Sequence, residues 1–341
     1  MIADNIQDCI TRLKSTGVVD RLNASGRKIL PDSLNDFAAL YNNDRSKPHL
    51  QKAIWKQIQK DDYDALIKKM PVEDQVRLKS CTTAYSGLWL TTMPRDGAHT
   101  LEDQVMRTAL CLRLDACPLP MRREAGPIRC PYASSHRRVC QDVDLRFKWA
   151  HGISCHYENN RGRKKMHEDV LDSVLGGAKD MANLYARRVN ANDILYTVDA
   201  KTGKKLDNKQ PDGVIDFDEL GELTVIDVRG VCPTSESNIK VNSGPGGHQM
   251  SANMAADKKD TKYKLIANNR NMDFIPFVFN TCGGLHGSAQ KIVAKMMTRL
   301  KAREPDKDKI KAARYGLLSR ICVAIMRNNH AIVSRSLQRS W

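Results

Sequence analysis

Apolar and polar positions change rhythm several times along this chain, and those changes divide it. Up to about residue 80 the apolar residues are sparse and helically spaced. Ile10, Leu13 and Val18-Val19 form one short amphipathic stretch, and Ile54, Ile58, Leu66 and Ile67 form another. Leu30-Pro31-Asp32-Ser33, between them, reads as a turn that could cap a helix. Ser86-Gly87-Leu88-Trp89-Leu90 follows, its Trp and Leu side chains read as core. A second helical pattern then runs through Leu101, Val105 and Leu110 to Leu114 and stops at the Cys117-Pro118 turn. Beyond the basic stretch Arg161-Gly162-Arg163-Lys164-Lys165 a further helix is expected, with Met166, Val170, Val174 and Leu175 at core spacing and Gly176-Gly177 interrupting it.

From Ile194 the period shortens. Ile194–Val198, Asp212–Phe217 and Leu223–Val231 read as strands, the last dominated by β-branched residues; Lys201–Lys205 reads as a turn and Asp218–Gly221 as a connection. Met254–Ile266 is expected to be a helix carrying Lys258, Lys259, Lys262 and Lys264. Phe274–Phe279 is a strongly apolar fourth strand ended by Cys282-Gly283-Gly284. A helix from Leu285 to Leu300, a basic linker and a last helix through Leu317, Ile321 and Ile325 complete the pattern. The order over residues 163–300 is α-β-β-β-α-β-α, an α/β arrangement. Four segments are therefore expected: a helical N-terminal region (1–116), a cysteine/histidine segment (117–160), an α/β domain (161–302) and a C-terminal helical tail (303–341).

Composition narrows the function class. With 341 residues, 41% of them hydrophobic and 28% charged, the chain has room for two domains and suits a soluble globular protein. No run is long enough to span a membrane, and Ala3-Asp4-Asn5 lacks the apolar core of a signal peptide. The expectation is an intracellular location, nuclear in a eukaryote. A formal charge of +16 favours polyanionic partners, because basic surfaces bind nucleic acid by counterion release. Ten cysteines without a secretion signal read as reduced thiols and metal ligands rather than a disulfide framework.

The densest metal-ligand pattern is Cys130, Cys140, His151 and Cys155, spaced C-x9-C-x10-H-x3-C, with His136 and His156 as additional candidates. Zinc favours four ligands of this kind, although the close C-x2-C pair of a regular knuckle is missing. The alternative is a set of reduced cysteines in a loop-rich segment. Arg122, Arg123, Arg129, Arg137, Arg138 and Arg146, interleaved with Tyr132, Phe147 and Trp149, suit phosphate-backbone contact or a solvated face. The glycine-rich Ser243-Gly244-Pro245-Gly246-Gly247 lacks the strand–loop–helix context of a phosphate loop and is not a nucleotide site.

A second constellation centres on Pro211-Asp212 and Asp227-Val228-Arg229. Asp227 lies inside an apolar strand, where a carboxylate is costly without a metal ion or a cation beside it. Alternation puts Asp227 and Arg229 on one face, and Lys259 and Lys262 share a helix face. Asp212 and Asp227 are candidate Mg²⁺ ligands for phosphodiester hydrolysis, with Glu168 or Asp169 completing the shell. Lys262, helped by Lys259, would stabilise developing charge, and Arg229 would clamp a neighbouring phosphate. The bland alternative is a turn aspartate at 212 and an ion-paired one at 227.

From Ser86 to about Leu300 the chain resembles the restriction-endonuclease-like PD-(D/E)xK endonuclease region found downstream of the reverse transcriptase in non-LTR retrotransposons. The residues that carry the resemblance are Ser86-Gly87-x-Trp89-Leu90, His151-Gly152-Ile153-Ser154-Cys155, Met166-His167-Glu168-Asp169-Val170, Pro211-Asp212, Ile226-Asp227-Val228, Lys259-x-x-Lys262-Tyr263, and Phe274-Ile275-Pro276 through Gly283-Gly284. The resemblance implies an αβββαβ core, a Mg²⁺-dependent DNA endonuclease that nicks, a zinc knuckle that helps bind DNA or RNA, and a functional His167. Met166 stands where the family has arginine, and the Cys130–Cys140 spacing is wider than the family's knuckle. A nucleic-acid-binding protein that keeps the fold without cleavage is the second expectation. The polymerase's Y-x-D-D box is absent, Tyr41-Asn42-Asn43-Asp44 not being one.

Overall fold

The structure, a computed structural model, describes residues 50–116, 129–131, 140, 143–145, 148–155, 161–189, 210–217 and 223–338. The strand read at Ile194–Val198, the turn at Lys201–Lys205, the connection at Asp218–Gly221 and the stretches at residues 10–19 and 30–33 lie outside these residues. So do His136, His156, Tyr132, Phe147 and all the interleaved arginines except Arg129.

The chain divides into two compact units at Pro71/Val72. The first contributes helix α1 (Leu50–Lys69), in which Ile67 is buried and Leu66 exposed. The second holds everything else described: α2 (Val72–Ser80), a 3-10 turn (Leu88–Leu90), α3 (Asp103–Leu114), a second 3-10 turn (Trp149–Ile153), α4 (Arg161–Ala182), β1 (Ala186–Arg188), β2 (Gly213–Asp216), β3 (Leu223–Val231), α5 (Glu236–Asn242), α6 (Met250–Asn268), β4 (Asp273–Asn280), α7 (Gly287–Arg303) and α8 (Lys307–Gln338).

The four strands form one mixed sheet in the order β1-β2-β3-β4. β1, β2 and β3 are antiparallel neighbours; β4 joins β3 in parallel after the crossover through α5 and α6. A parallel pair needs such a long connection, and the lysine-bearing helix α6 supplies it. Pro276 is tolerated because β4 is an edge strand. The first strand of the sheet is the short Ala186–Arg188, directly after α4. No described helix is long and apolar enough to cross a membrane.

Side-chain alternation in β3 sorts the layers. Ile226 and Val228 face the large core shared with α4, α7 and α8. Val225 and Val231 face α6, where Tyr263, Ile266 and Ala256 cover them together with Phe274 of β4. Both faces are covered, which explains the nearly unbroken apolar run.

One expectation is corrected by packing. Gly176-Gly177 do not interrupt α4, which continues to Ala182. A Cβ on Gly177 would lie 2.4 Å from Leu317 Cδ1, so the missing side chain admits α8 against α4. The C-terminal helix packs into the same core. Leu317, Ile321, Ile325, Ile332 and Leu337 belong to the main core, and Asn328 of α8 donates to Asp169 of α4 at 2.8 Å. On α3, Val105 is buried as expected, whereas Leu110 and Leu114 are exposed.

Gly213 adjoins Asp212 and sets how closely α4 rides on β2. A Cβ there would lie 3.1 Å from Ile226 and 3.2 Å from both Leu171 and Leu175. Gly213→Ala should gain about 0.5–1 kcal/mol in backbone entropy but lose about 1–3 kcal/mol to overpacking. A net fall in the urea midpoint is therefore expected, and an unchanged or raised midpoint would show that the layers yield.

Candidate functional site

Asp227 is the only charged side chain among the described residues that is fully buried, at 2% exposure. Its position follows from the strand. It is one residue past Ile226, which pairs with Gly213, so Asp212 and Asp227 both lie one step beyond that couple. Val214 pairs with Val225, and two-residue alternation from that pair puts both aspartates on the α6 side. Backbone bonds tie the loop end down: Asp212 N–H donates to Ile226 O at 3.0 Å, and Val189 N–H to Asp212 O at 3.1 Å.

Each carboxylate has a different cationic partner. Lys259 of α6 forms an ion pair with the buried Asp227 Oδ2. Ala256, Lys259 and Tyr263 fall on one stripe of α6, which turns the lysine toward β3. Asp212 Oδ2 accepts the Val228 N–H at 2.6 Å and meets His167 Nε2 at 2.9 Å. His167 comes from α4, one turn before the Leu171 that packs at Gly213. The site thus joins the helices on opposite sides of the sheet.

Electrostatics reflect the crowding. Burial first, and the Asp212 charge second, push the Asp227 carboxyl above its ordinary value despite Lys259. For His167, burial alone would lower the ring. The hydrogen bond and charge of Asp212, with the charge of Asp227, outweigh it and raise the ring above its ordinary 6.5. Tyr263 is raised too, by burial and then by Asp227. Two carboxylates on neighbouring strands repel, so the pair favours a cation between them.

Tyr263 is the participant whose role the residue pattern did not reveal. Its hydroxyl donates to Gln210 O at 3.1 Å and accepts from Lys262 Nζ at 2.6 Å, with that ammonium 4.4 Å from the ring centroid. The available signal was an aromatic four residues after Lys259, on the same helix face. Arg229 is exposed, on the Asp227 side of β3.

Glu168 is not brought to the aspartates. One residue from His167 it points about 100° away around the helix, and its carboxylate lies 3.8 Å from Lys164. Asp169 is held instead by Lys165 and Asn328. Trp149 is also corrected: at 3% exposure it is core and offers no stacking face.

A separate cluster gathers Cys130, Cys140, His151 and Cys155. Their ligand atoms all lie within 4.8 Å of one another, and no other such group of acids, thiols and imidazoles occurs among the described residues. An antiparallel bridge between Arg129 and Asp144 places Cys130, while the second 3-10 turn presents His151 ahead of Cys155. Cys130 Sγ and Cys155 Sγ are 3.7 Å apart, and Cys140 Sγ and His151 Nε2 3.3 Å. A disulfide needs about 2.05 Å. Tetrahedral zinc puts two sulfurs about 3.8 Å apart and sulfur and nitrogen about 3.5 Å apart. The three cysteines are buried in the main core, so the cluster can hold a metal such as zinc as a structural element.

Two measurements follow. The His167 ring should titrate above 6.5 by NMR, and in Asp212→Asn, where burial is left with less opposition, below it. Because the folded value is raised, the pair's stabilisation is present below the unfolded histidine value and lost as pH rises through the folded one. A ring unmoved by Asp212→Asn would remove the coupling. The purified chain should also carry one equivalent of a metal such as zinc, by elemental analysis. Cys140→Ser and Cys155→Ser should lose it and melt at lower temperature; unchanged metal content would end that assignment.

No family model matches this chain, and no curated protein matches it.

Proposed function

We propose that this chain is a Mg²⁺-dependent DNA endonuclease of the restriction-endonuclease-like kind that accompanies non-LTR reverse transcriptases. The observation that supports it best is Asp227: a carboxylate buried in the middle of a strand, one step from Asp212 across the sheet, with an ammonium beside it. That donor set fits a hard divalent cation, which takes carboxylate oxygens. Asp212 and Asp227 would hold the ion. Bound there, it supplies Lewis acidity toward phosphate and favours deprotonation of water.

The chain's own residues supply the rest. With the Asp227 charge shared by a cation, the Lys259 ammonium is available to stabilise charge on a phosphoryl oxygen. Lys262, held by the Tyr263 hydroxyl, adds a second positive charge beside it. His167 keeps a proton between its Nε2 and Asp212, orienting that carboxylate. Arg229, exposed on the same face, is available to a neighbouring phosphate. The element order α-β-β-β-α-α-β-α from α4 to α7, with the short α5 added before the lysine-bearing α6, is in keeping with this reading. Zinc in the cysteine/histidine cluster would stiffen the segment that contributes to DNA binding, and the formal charge of +16 supplies long-range attraction.

One observation favours a second reading, a binding protein without cleavage. Glu168 and Asp169 are engaged elsewhere, which leaves two carboxylates for the metal, and Lys259 already neutralises one of them.

Supercoiled plasmid with Mg²⁺ separates the two. Nicking is expected from the native chain, none from Asp212→Ala or Asp227→Ala, and a loss of about 100-fold from Lys259→Ala. Salt-sensitive plasmid binding with no nicking by the native chain would establish the second reading. Neither binding nor nicking would overturn both.

A further inference from the structure

Away from the aspartates, three cysteines from distant parts of the chain line one cavity of about 250 Å³: Cys81 after α2, Cys232 after β3 and Cys282 after β4. The two segments that matter most are bound together by backbone. Leu285 N–H donates to Ala84 O at 3.0 Å, and a Cβ on Gly284 would lie 2.7 Å from Thr83. Gly283, beside Cys282, has φ 89°, a conformation that favours glycine and seats the turn against Ser86. Beside this lacing, Cys81 and Cys282 line the same cavity, with Arg77 and Arg113 in its wall.

The surroundings favour a thiolate at Cys81. Arg113 Nη2 donates to Cys81 O at 3.0 Å, and the Arg113 and Arg77 guanidiniums both lie near the sulfur. The Cys282 thiol, with those two charges, brings Cys81 down to about 7 against its burial, while Cys282 is held well above the ordinary thiol value. One sulfur is thus prepared as the nucleophile and its neighbour is kept protonated, the asymmetry of a reactive dithiol. Cys322 is the contrast: fully buried, raised to about 12, with its sulfur donating to Tyr85 O and Gly283 O.

We propose that Cys81 and Cys282 form a redox-active thiol pair, reached through this cavity and oxidised by hydroperoxides to a reversible disulfide. The Cys81 thiolate attacks the O–O bond, leaving a Cys81 sulfenic acid and releasing water or an alcohol. The Cys282 sulfur then displaces the sulfenic oxygen as water and gives up its proton. Two thiols and one hydroperoxide therefore become one disulfide, one alcohol (or water) and one water, and a low-molecular-weight thiol returns the pair to its reduced form. The bond would staple the end of β4 to the segment after α2, independently of any activity at Asp227.

The test uses the full chain loaded with zinc, so that metal protects Cys130, Cys140 and Cys155. After limiting hydrogen peroxide and rapid alkylation, peptide mapping should find a Cys81–Cys282 cross-link as the first disulfide formed, and dithiothreitol should remove it. In Cys282→Ser, dimedone should label Cys81, at least about tenfold faster than Cys322. Cys81→Ser should abolish the cross-link; circular dichroism melting of both variants confirms that they fold, and if Cys81→Ser does not, dimedone labelling of Cys282→Ser decides alone. A first disulfide between other cysteines, or labelling of Cys81 no faster than Cys322, would overturn the proposal.

Discussion

Everything around the central sheet answers to a carboxylate placed where a carboxylate does not belong. Asp227 sits in the middle of a strand covered on both faces, and charge in such a place requires compensation. Lys259 gives it from α6, which is the crossover that makes β4 parallel to β3. The topology and the ion pair are therefore linked. Replacing the lysine would remove a charge partner supplied by the connection itself, and a buried carboxylate left unpaired costs about 3–5 kcal/mol. A second acid one step beyond the same strand couple makes the requirement greater, and His167 meets it from the opposite layer.

The second place where the fold depends on more than apolar packing is the cysteine/histidine cluster. Cys130, Cys140 and Cys155 belong to the same buried cluster as Trp149 and the core residues of α4, so four ligand atoms are collected at that core. A metal there would cross-link a loop-rich segment with little regular structure of its own, as structural zinc does in small domains. Both sites gather polar atoms where desolvation makes electrostatic interactions strong. The thiol pair at Cys81 and Cys282 repeats the theme on a smaller scale, with guanidiniums in place of a metal.

Much of the architecture was legible in residue order because local physics sets it. The β-branched run at Leu223–Val231, the apolar strand at Phe274–Phe279 and the 3.6-residue periodicity around Val170, Tyr263 and Ile292 each specify an element before any packing is considered. Asp212, Asp227, Lys259 and the four cluster ligands were also visible, as polar groups in apolar or unusually spaced company, whereas His167 entered only through the family resemblance. The double glycine in α4 was misread for a physical reason: a glycine that weakens an isolated helix can be the one that lets another helix, here Leu317 of α8, come close.

Other features depended on partners far away in the chain. Glu168 and His167 are neighbours in sequence, yet helical rotation gives the histidine to Asp212 and the glutamate to Lys164. Tyr263 acquires its part from Gln210 and Lys262, and Trp149 loses its expected exposure to the core. Residue order alone determined which segments become helices and strands and which side chains are chemically costly to bury, because those are properties of short windows. The tertiary structure decided which costly groups meet, since a charge or a thiol is defined by what surrounds it, and its surroundings come from strands and helices that share no local sequence.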